Sequence, residues 1–160
     1  QLSETVMLDG TGAAETSGFF LRVFRAFVAG SQEPAGTINI TNASTTYARI
    51  TAGENQTSMT VWTVPAGYTA YLFQKDVTCL TEANNKFGTI RLISRKLGGV
   101  FRTNDKFALQ NAHTEISYTA PIPFTEKTDI EVRAIGSSSN SALHVSAALD
   151  IVYIKNEEGL

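Results

Sequence analysis

ITAGENQTSMTVWTVPAGYTAYLF, from Ile50 to Phe73, is the stretch whose reading decides the fold. Ile50 and Thr51 lead into a polar turn at Gly53-Glu54-Asn55. A run of β-formers follows, with Met59, Val61 and Thr63 on one face and Trp62 and Val64 on the other. Val64-Pro65-Ala66-Gly67 then reverses the chain, because proline pre-sets φ at the second turn position and glycine suits the fourth. Tyr68 to Phe73 runs back as the partner strand. The reading predicts a β-hairpin.

Working outward, short strand-like runs recur between Gly, Pro, Asn, Asp and Ser. Phe19 to Ala29, bracketed by Gly18 and Gly30, is rich in aromatic and β-branched residues. It reads as a strand covered on both faces rather than as a helix. Thr37 to Thr41 alternates cleanly and Ala48 to Thr51 more weakly. Thr89 to Ser94 and Val100 to Thr103 form a pair around Leu97-Gly98-Gly99. His113 to Thr119 is a strand ended by Pro121-Ile122-Pro123. Thr128 to Ile135 points Ile130, Val132 and Ala134 inward and Asp129, Glu131 and Arg133 outward. A polar loop from Gly136 to Ser141 precedes a long last strand, Leu143 to Ile154, which adds Leu143, Val145, Leu149 and Ile151 to the expected core. Thr81 to Phe87 leaves room for one short turn, and no segment sustains a helical period.

Nine or ten strands at this spacing predict an all-β chain, an antiparallel β-sandwich of jelly-roll type. Residues 19–160 read as a single sandwich domain. Gln1 to Gly18, polar and punctuated by Gly10, Gly12 and Gly18, reads as an extended N-terminal arm or a loose first strand.

Composition narrows the function. The 160 residues are 42% apolar and 18% charged with a net charge of −2, which excludes a disordered tail and lacks the basic stripe of a nucleic-acid binder. The longest apolar run, Phe19 to Ala29, is too short for a bilayer and is broken by Arg22 and Arg25. Cys79 is the only cysteine, so no intrachain disulfide and no cysteine-rich metal site is available. No basic-then-apolar secretion signal opens the sequence, and assembly in a reducing cytoplasm is expected.

Catalytic chemistry needs converging groups. His144 lies on the polar side of the last strand with Ser146 and Asp150, and reads as a solvated surface histidine. His113 reads as an ordinary loop residue, and Cys79 as a buried, inert thiol without a neighbouring cation. No phosphate loop or nucleophile elbow occurs. The expectation is a non-enzyme with no metal and no cofactor. Trp62, Tyr68, Tyr71 and Phe73 sit on adjacent strands, where aromatic side chains fill a core, meet a subunit or stack a sugar.

FFLRVFRAFVAG (Phe19 to Gly30), TAGENQTSMTVWTVPAGYTAYL (Thr51 to Leu72), LGGVFR (Leu97 to Arg102), TEKTDIEVRA (Thr125 to Ala134) and the Asp150-Ile151-Val152-Tyr153 ending resemble a family of tailed-phage, cyanophage-like virion structural proteins. The resemblance implies a β-rich particle component without catalytic residues. Its expected role is a capsid decoration, or cement, protein on the outer capsid surface of the virion, made in the host cytoplasm. The alternative is a host-recognition module of a tail or head fibre that binds carbohydrate. The expected partners are the major capsid protein and further copies of the chain itself, as a trimer, with no nucleic acid and no membrane. Leu2, Val6, Met7 and Leu8 of the arm are the expected capsid contacts, unless Val6 to Leu8 is the first strand of the sandwich. Phe19, Phe24, Trp62 and Tyr71 are the expected subunit interface.

Overall fold

A computed structural model describes residues 2–82, 85–137 and 143–157. Gln1, part of the serine-rich loop read from Gly136 to Ser141 and part of the turn read within Thr81 to Phe87 lie outside the described residues. The chain is all-β, with antiparallel sheets and no helix among the described residues. It forms two compact units, Gln1–Met59 and Thr60–Leu160.

The first unit has one two-stranded sheet, β1 (Ile38–Asn42) against β2 (Thr45–Ile50). Ala48 and Ile50 are buried. The expected strand from Phe19 to Ala29 does not form; only Phe27 bridges, to Gln56. Around that bridge Val28 N–H donates to Asn55 O at 2.8 Å and Thr57 N–H donates to Ala26 O at 2.9 Å. Nor is the run covered on both faces, since Phe19 is 99% and Leu21 89% exposed. Strand propensity reports fit to a pleated, half-buried surface, and without a paired neighbour it does not make a strand.

Among its described residues the second unit carries seven strands in two sheets. One sheet runs β3 (Val61–Thr63), β8 (Asp129–Gly136), β5 (Gly88–Arg95), β6 (Arg102–Leu109). The other runs β7 (Ala112–Phe124), β4 (Tyr68–Thr81), β9 (Leu143–Lys155). The expected hairpin between β3 and β4 is therefore absent: the Pro-Gly turn passes the chain from one sheet to the other. Val64 explains why. Its N–H donates to Thr128 O and its carbonyl accepts from Lys127 N–H, so both main-chain groups are committed to the turn before β8. The reversal itself spans Pro65 to Tyr68, one residue later than the sequence suggests. Gly67, at φ 76°, holds the third position, where a type II turn requires positive φ.

β5 and β6 form the expected hairpin, with Gly98 at φ 75° in its turn. β7 does not stop at its prolines: Ile122 and Pro123 still face Leu72 and Tyr71 of β4. An edge strand tolerates proline, because the missing N–H belongs to the unpaired side.

One apolar cluster draws on both sheets, with Leu92 and Ile130 from one and Ala70, Leu72 and Phe124 from the other. Ile130 is fully buried as expected, while Val132, Leu149 and Ile151 pack against the cluster from its margin. A bulge at Phe73 changes the phase of β4. Ala70 and Leu72 point inward before it; Lys75, Val77 and Cys79 do so after it. The inserted residue thus buries Val77 and Cys79 in place of Asp76 and Thr78, and takes Lys75 inside with them.

Candidate functional site

Three groups of side chains stand out: a buried ionic cluster, two oppositely charged sheet faces and an exposed apolar segment near the amino end. Lys75, buried by the β4 bulge, pairs with Asp105 of β6 and lies 4.5 Å from the centre of the Phe107 ring. Tyr118 of β7 approaches the same carboxylate, 3.5 Å from hydroxyl to oxygen. Burial, and after it the Asp105 charge, pushes the Tyr118 pKa up to about 12. The cluster joins the two sheets through charge rather than through apolar contact alone. Sequence reading missed it, because Gln74-Lys75-Asp76 looks like an outward polar step until the bulge is known.

The outer side of the four-stranded sheet corrects a second expectation. Asp129 and Glu131 are buried, not solvated. Asp129 accepts from Thr63 Oγ1 at 2.7 Å and from Arg95 Nη2 at 2.6 Å. Glu131 accepts from Arg133 Nε at 2.6 Å. Arg95 and Arg133 lie over the Phe101 ring at 4.5 and 4.8 Å, and the two stacked guanidinium groups cover the acids. Beyond this patch Arg133, Arg91 and Lys106 stand side by side on neighbouring strands, a basic row.

The outer face of the three-stranded sheet is the opposite. Asp76 faces Glu115 directly across β4 and β7, and Asp150 faces Gln74 across β4 and β9. Like charges directly opposite one another oppose pairing. The outward strand positions of this face hold no Lys or Arg. His113 and His144 lie here too, both exposed. Thr78 Oγ1 is 3.1 Å from His113 Nδ1, and His144 Nε2 is 3.5 Å from Glu82. His113 belongs to strand β7, not to a loop. Asp150 and Ser146 share the His144 face, as the alternation predicts.

Cys79 is fully buried and its Sγ contacts Leu109 O at 3.4 Å. Among the described residues no group of three or more His, Cys, Asp and Glu side chains is placed to hold a metal ion. No helix among them is long and apolar enough to cross a membrane.

In the first unit the Glu4 carboxylate accepts from Ser17 N–H at 2.7 Å and from Gly18 N–H at 3.0 Å. These backbone bonds hold its pKa below the usual carboxylate value. The arm from Glu4 to Gly18 is thereby closed into a loop. It displays Met7, 87% exposed, and Leu8, while Val6 is half-buried; Leu2, just ahead of the loop, is exposed as well. Phe24 is half-buried and Phe19 wholly exposed. Trp62 and Tyr71 belong to the second unit. Trp62 packs at the margin of the core, 5.7 Å from the Tyr153 ring centre, and Tyr68 meets the same ring edge-on at 5.4 Å. Tyr71 stands on the outer face of β4 beside Val152 and Pro123. Within the second unit Trp62 and Tyr71 therefore stand on different faces.

Comparison of the chain with protein-family models, with curated proteins and with solved structures returned no match.

Proposed function

We propose that this chain is a structural protein of a tailed-phage virion, a decoration protein bound to the outer capsid surface. It is made in the host cytoplasm and contacts the major capsid protein and further copies of itself, three around each site. The observation that carries the reading is the exposed apolar segment: Leu2, Met7, Leu8, Phe19 and Leu21 stand in solvent on a chain whose second unit has a filled core. Large apolar side chains left in solvent along one short stretch of chain support a surface that meets a partner. The sequence resemblance supplies the partner's identity. The aromatic residues Trp62 and Tyr68 are packed against Tyr153, which favours shell decoration over a sugar-stacking fibre module.

The strand order supports a jelly-roll form of the sandwich. An eight-stranded jelly roll, counted in chain order, places its first, eighth, third and sixth strands in one sheet and its second, seventh, fourth and fifth in the other. If β3 to β9 stand for the second to the eighth, both sheets of this chain follow that order. The first strand is then the one not represented, and its position is beside β9.

A decoration protein binds the completed shell and stabilises it by linkage, as any ligand of one state does. Purified protein mixed with shells stripped of their outer protein tests the proposal. Saturating binding distributed over the whole shell, with a raised shell melting temperature, is the expected result. Met7→Asp and Leu8→Asp should remove the binding while leaving the fold intact. Absence of binding to shells, or labelling confined to a few fibre tips, overturns the proposal.

A further inference from the structure

The strand position beside β9 has a natural occupant. We infer that Phe19–Arg25 of a second copy of this chain adds to the free edge of β9 and completes the three-stranded sheet as a four-stranded one.

Four observations meet at this edge. Among the described residues β9 pairs with β4 on one side and has no main-chain ladder on the other. Near its middle the Ala147 carbonyl is taken by the Thr60 hydroxyl at 3.0 Å, so the accepting stretch is Leu149–Lys155. In that stretch Val152, Tyr153 and Ile154 are exposed, an apolar strip on an edge that carries only Lys155 as a guarding cation. An unguarded apolar edge strand is a template for strand addition.

The donor matches in length, character and charge. Phe19–Arg25 is seven residues, as is Leu149–Lys155, and each spans roughly 23 Å when extended at ~3.3 Å per residue. It is built of strand-forming side chains and lies ahead of the part of the chain tied to Asn55–Thr57. Phe19 and Leu21 are almost wholly exposed. The segment carries Arg22 and Arg25 and no carboxylate, whereas the face it would extend carries Asp76, Glu115 and Asp150 and no Lys or Arg at its outward strand positions. Of these carboxylates Asp150 lies on β9 itself, inside the accepting stretch, so cations arriving there meet an opposite charge on the neighbouring strand.

Every copy holds one donor and one acceptor. Such a head-to-tail contact closes into a ring when the rotation permits, which accounts for a cyclic oligomer without a separate interface. The inference concerns self-association alone and stands apart from what the assembled protein binds.

Sedimentation of the full-length chain over a range of concentrations, with hydrogen exchange read at β9, tests it. The expected result is a concentration-dependent oligomer in which the Leu149–Lys155 amides become protected, and loss of both oligomer and protection in Leu21→Asp. Leu21 is nearly all in solvent, so this variant keeps its fold, which an unchanged circular dichroism spectrum checks. A chain that stays monomeric, an oligomer indifferent to Leu21→Asp, or an oligomer whose β9 amides still exchange freely overturns the inference. Protection that is present in a monomer at every concentration, and lost in Leu21→Asp, places the segment on its own chain's edge and overturns it too. Shell binding is scored separately. Binding without self-association defeats this inference and the contact between copies but leaves the decoration role, and self-association without binding defeats the decoration role alone.

Discussion

Residues 2–59 and residues 60–157 draw on similar amino acids and use them differently. The later region buries Leu72, Val77, Ile90, Leu92 and Ile130 almost completely, between strands that pair in long ladders. The earlier one leaves Met7, Phe19 and Leu21 in solvent beside a single short two-stranded sheet. A lone two-stranded ribbon is marginal in water, and apolar residues become core only where paired strands supply a second layer. Hydrophobic character is thus shared by both regions. Long ladders of partnered backbone belong to the later one.

The largest expected effect attacks the charged part of the later region. Lys75→Ala strands Asp105 in a half-buried site, and breaking such a pair costs about 3–5 kcal/mol. Chemical denaturation should show this as a lower midpoint. Replacing both partners with apolar residues of similar size should cost much less. A small loss in the single variant would mean that the two sheets do not rely on this pair.

Next comes the apolar part. Ile130→Ala should destabilise the chain by about 2–4 kcal/mol, as large-to-small core changes do. Glu131 was expected to be expendable as an outward residue, yet it is buried beneath Arg133. Glu131→Ala should therefore cost more than an ordinary surface change, and unfolding curves compare the two directly. A result under about 0.5 kcal/mol, the range of surface substitutions, would return Glu131 to the solvent face.

A tighter contact sits at Gly88, where an added Cβ would come within 2.8 Å of Cys79 Sγ. Gly88→Ala should cost about 1–3 kcal/mol through overpacking. Cys79→Ala in the same chain should recover part of the loss, a coupling that a double-mutant cycle measures.

How much of this was legible beforehand depends on range. Period-two alternation located β1, β8 and β9, and Leu97-Gly98-Gly99 located the β5–β6 turn, because each signal is local. The pairing of β3 with β8 was not legible: Trp62 meets Ile130 across a long stretch of chain, and no local pattern encodes that choice. The Phe73 bulge was hidden as well, since one inserted residue flips every later side chain of β4. Lys75 and its cluster went unseen with it. Phe19 to Ala29 was misread for the converse reason, as its composition suits a strand whose partner the chain does not provide within the first unit. Of the candidate site, the exposed apolar character of Leu2, Met7 and Leu8 could be read from their lack of an evident strand partner. The inward packing of Trp62 could not.

A smaller effect follows from Tyr118. Its folded pKa of about 12 lies above the ordinary tyrosine value of 10.0, so the folded state holds this proton more tightly than the unfolded chain does. The contribution is fully present below pH 10 and is lost as pH rises toward 12. Tyr118→Phe should flatten that alkaline decline in thermal melts, and an unchanged slope would remove Tyr118 from the account.

The smallest expected effect tests the comparison most directly. Met7→Asp, Phe19→Asp and Leu21→Asp combined in one full-length chain replace three large apolar residues with charges. If they serve partners rather than the fold, the melting temperature of the isolated chain should move by less than about 2 °C, as for exposed sites. A fall of many degrees, comparable to that of Ile130→Ala, would show that these side chains belong to a folded core and would contradict the division drawn between the two regions.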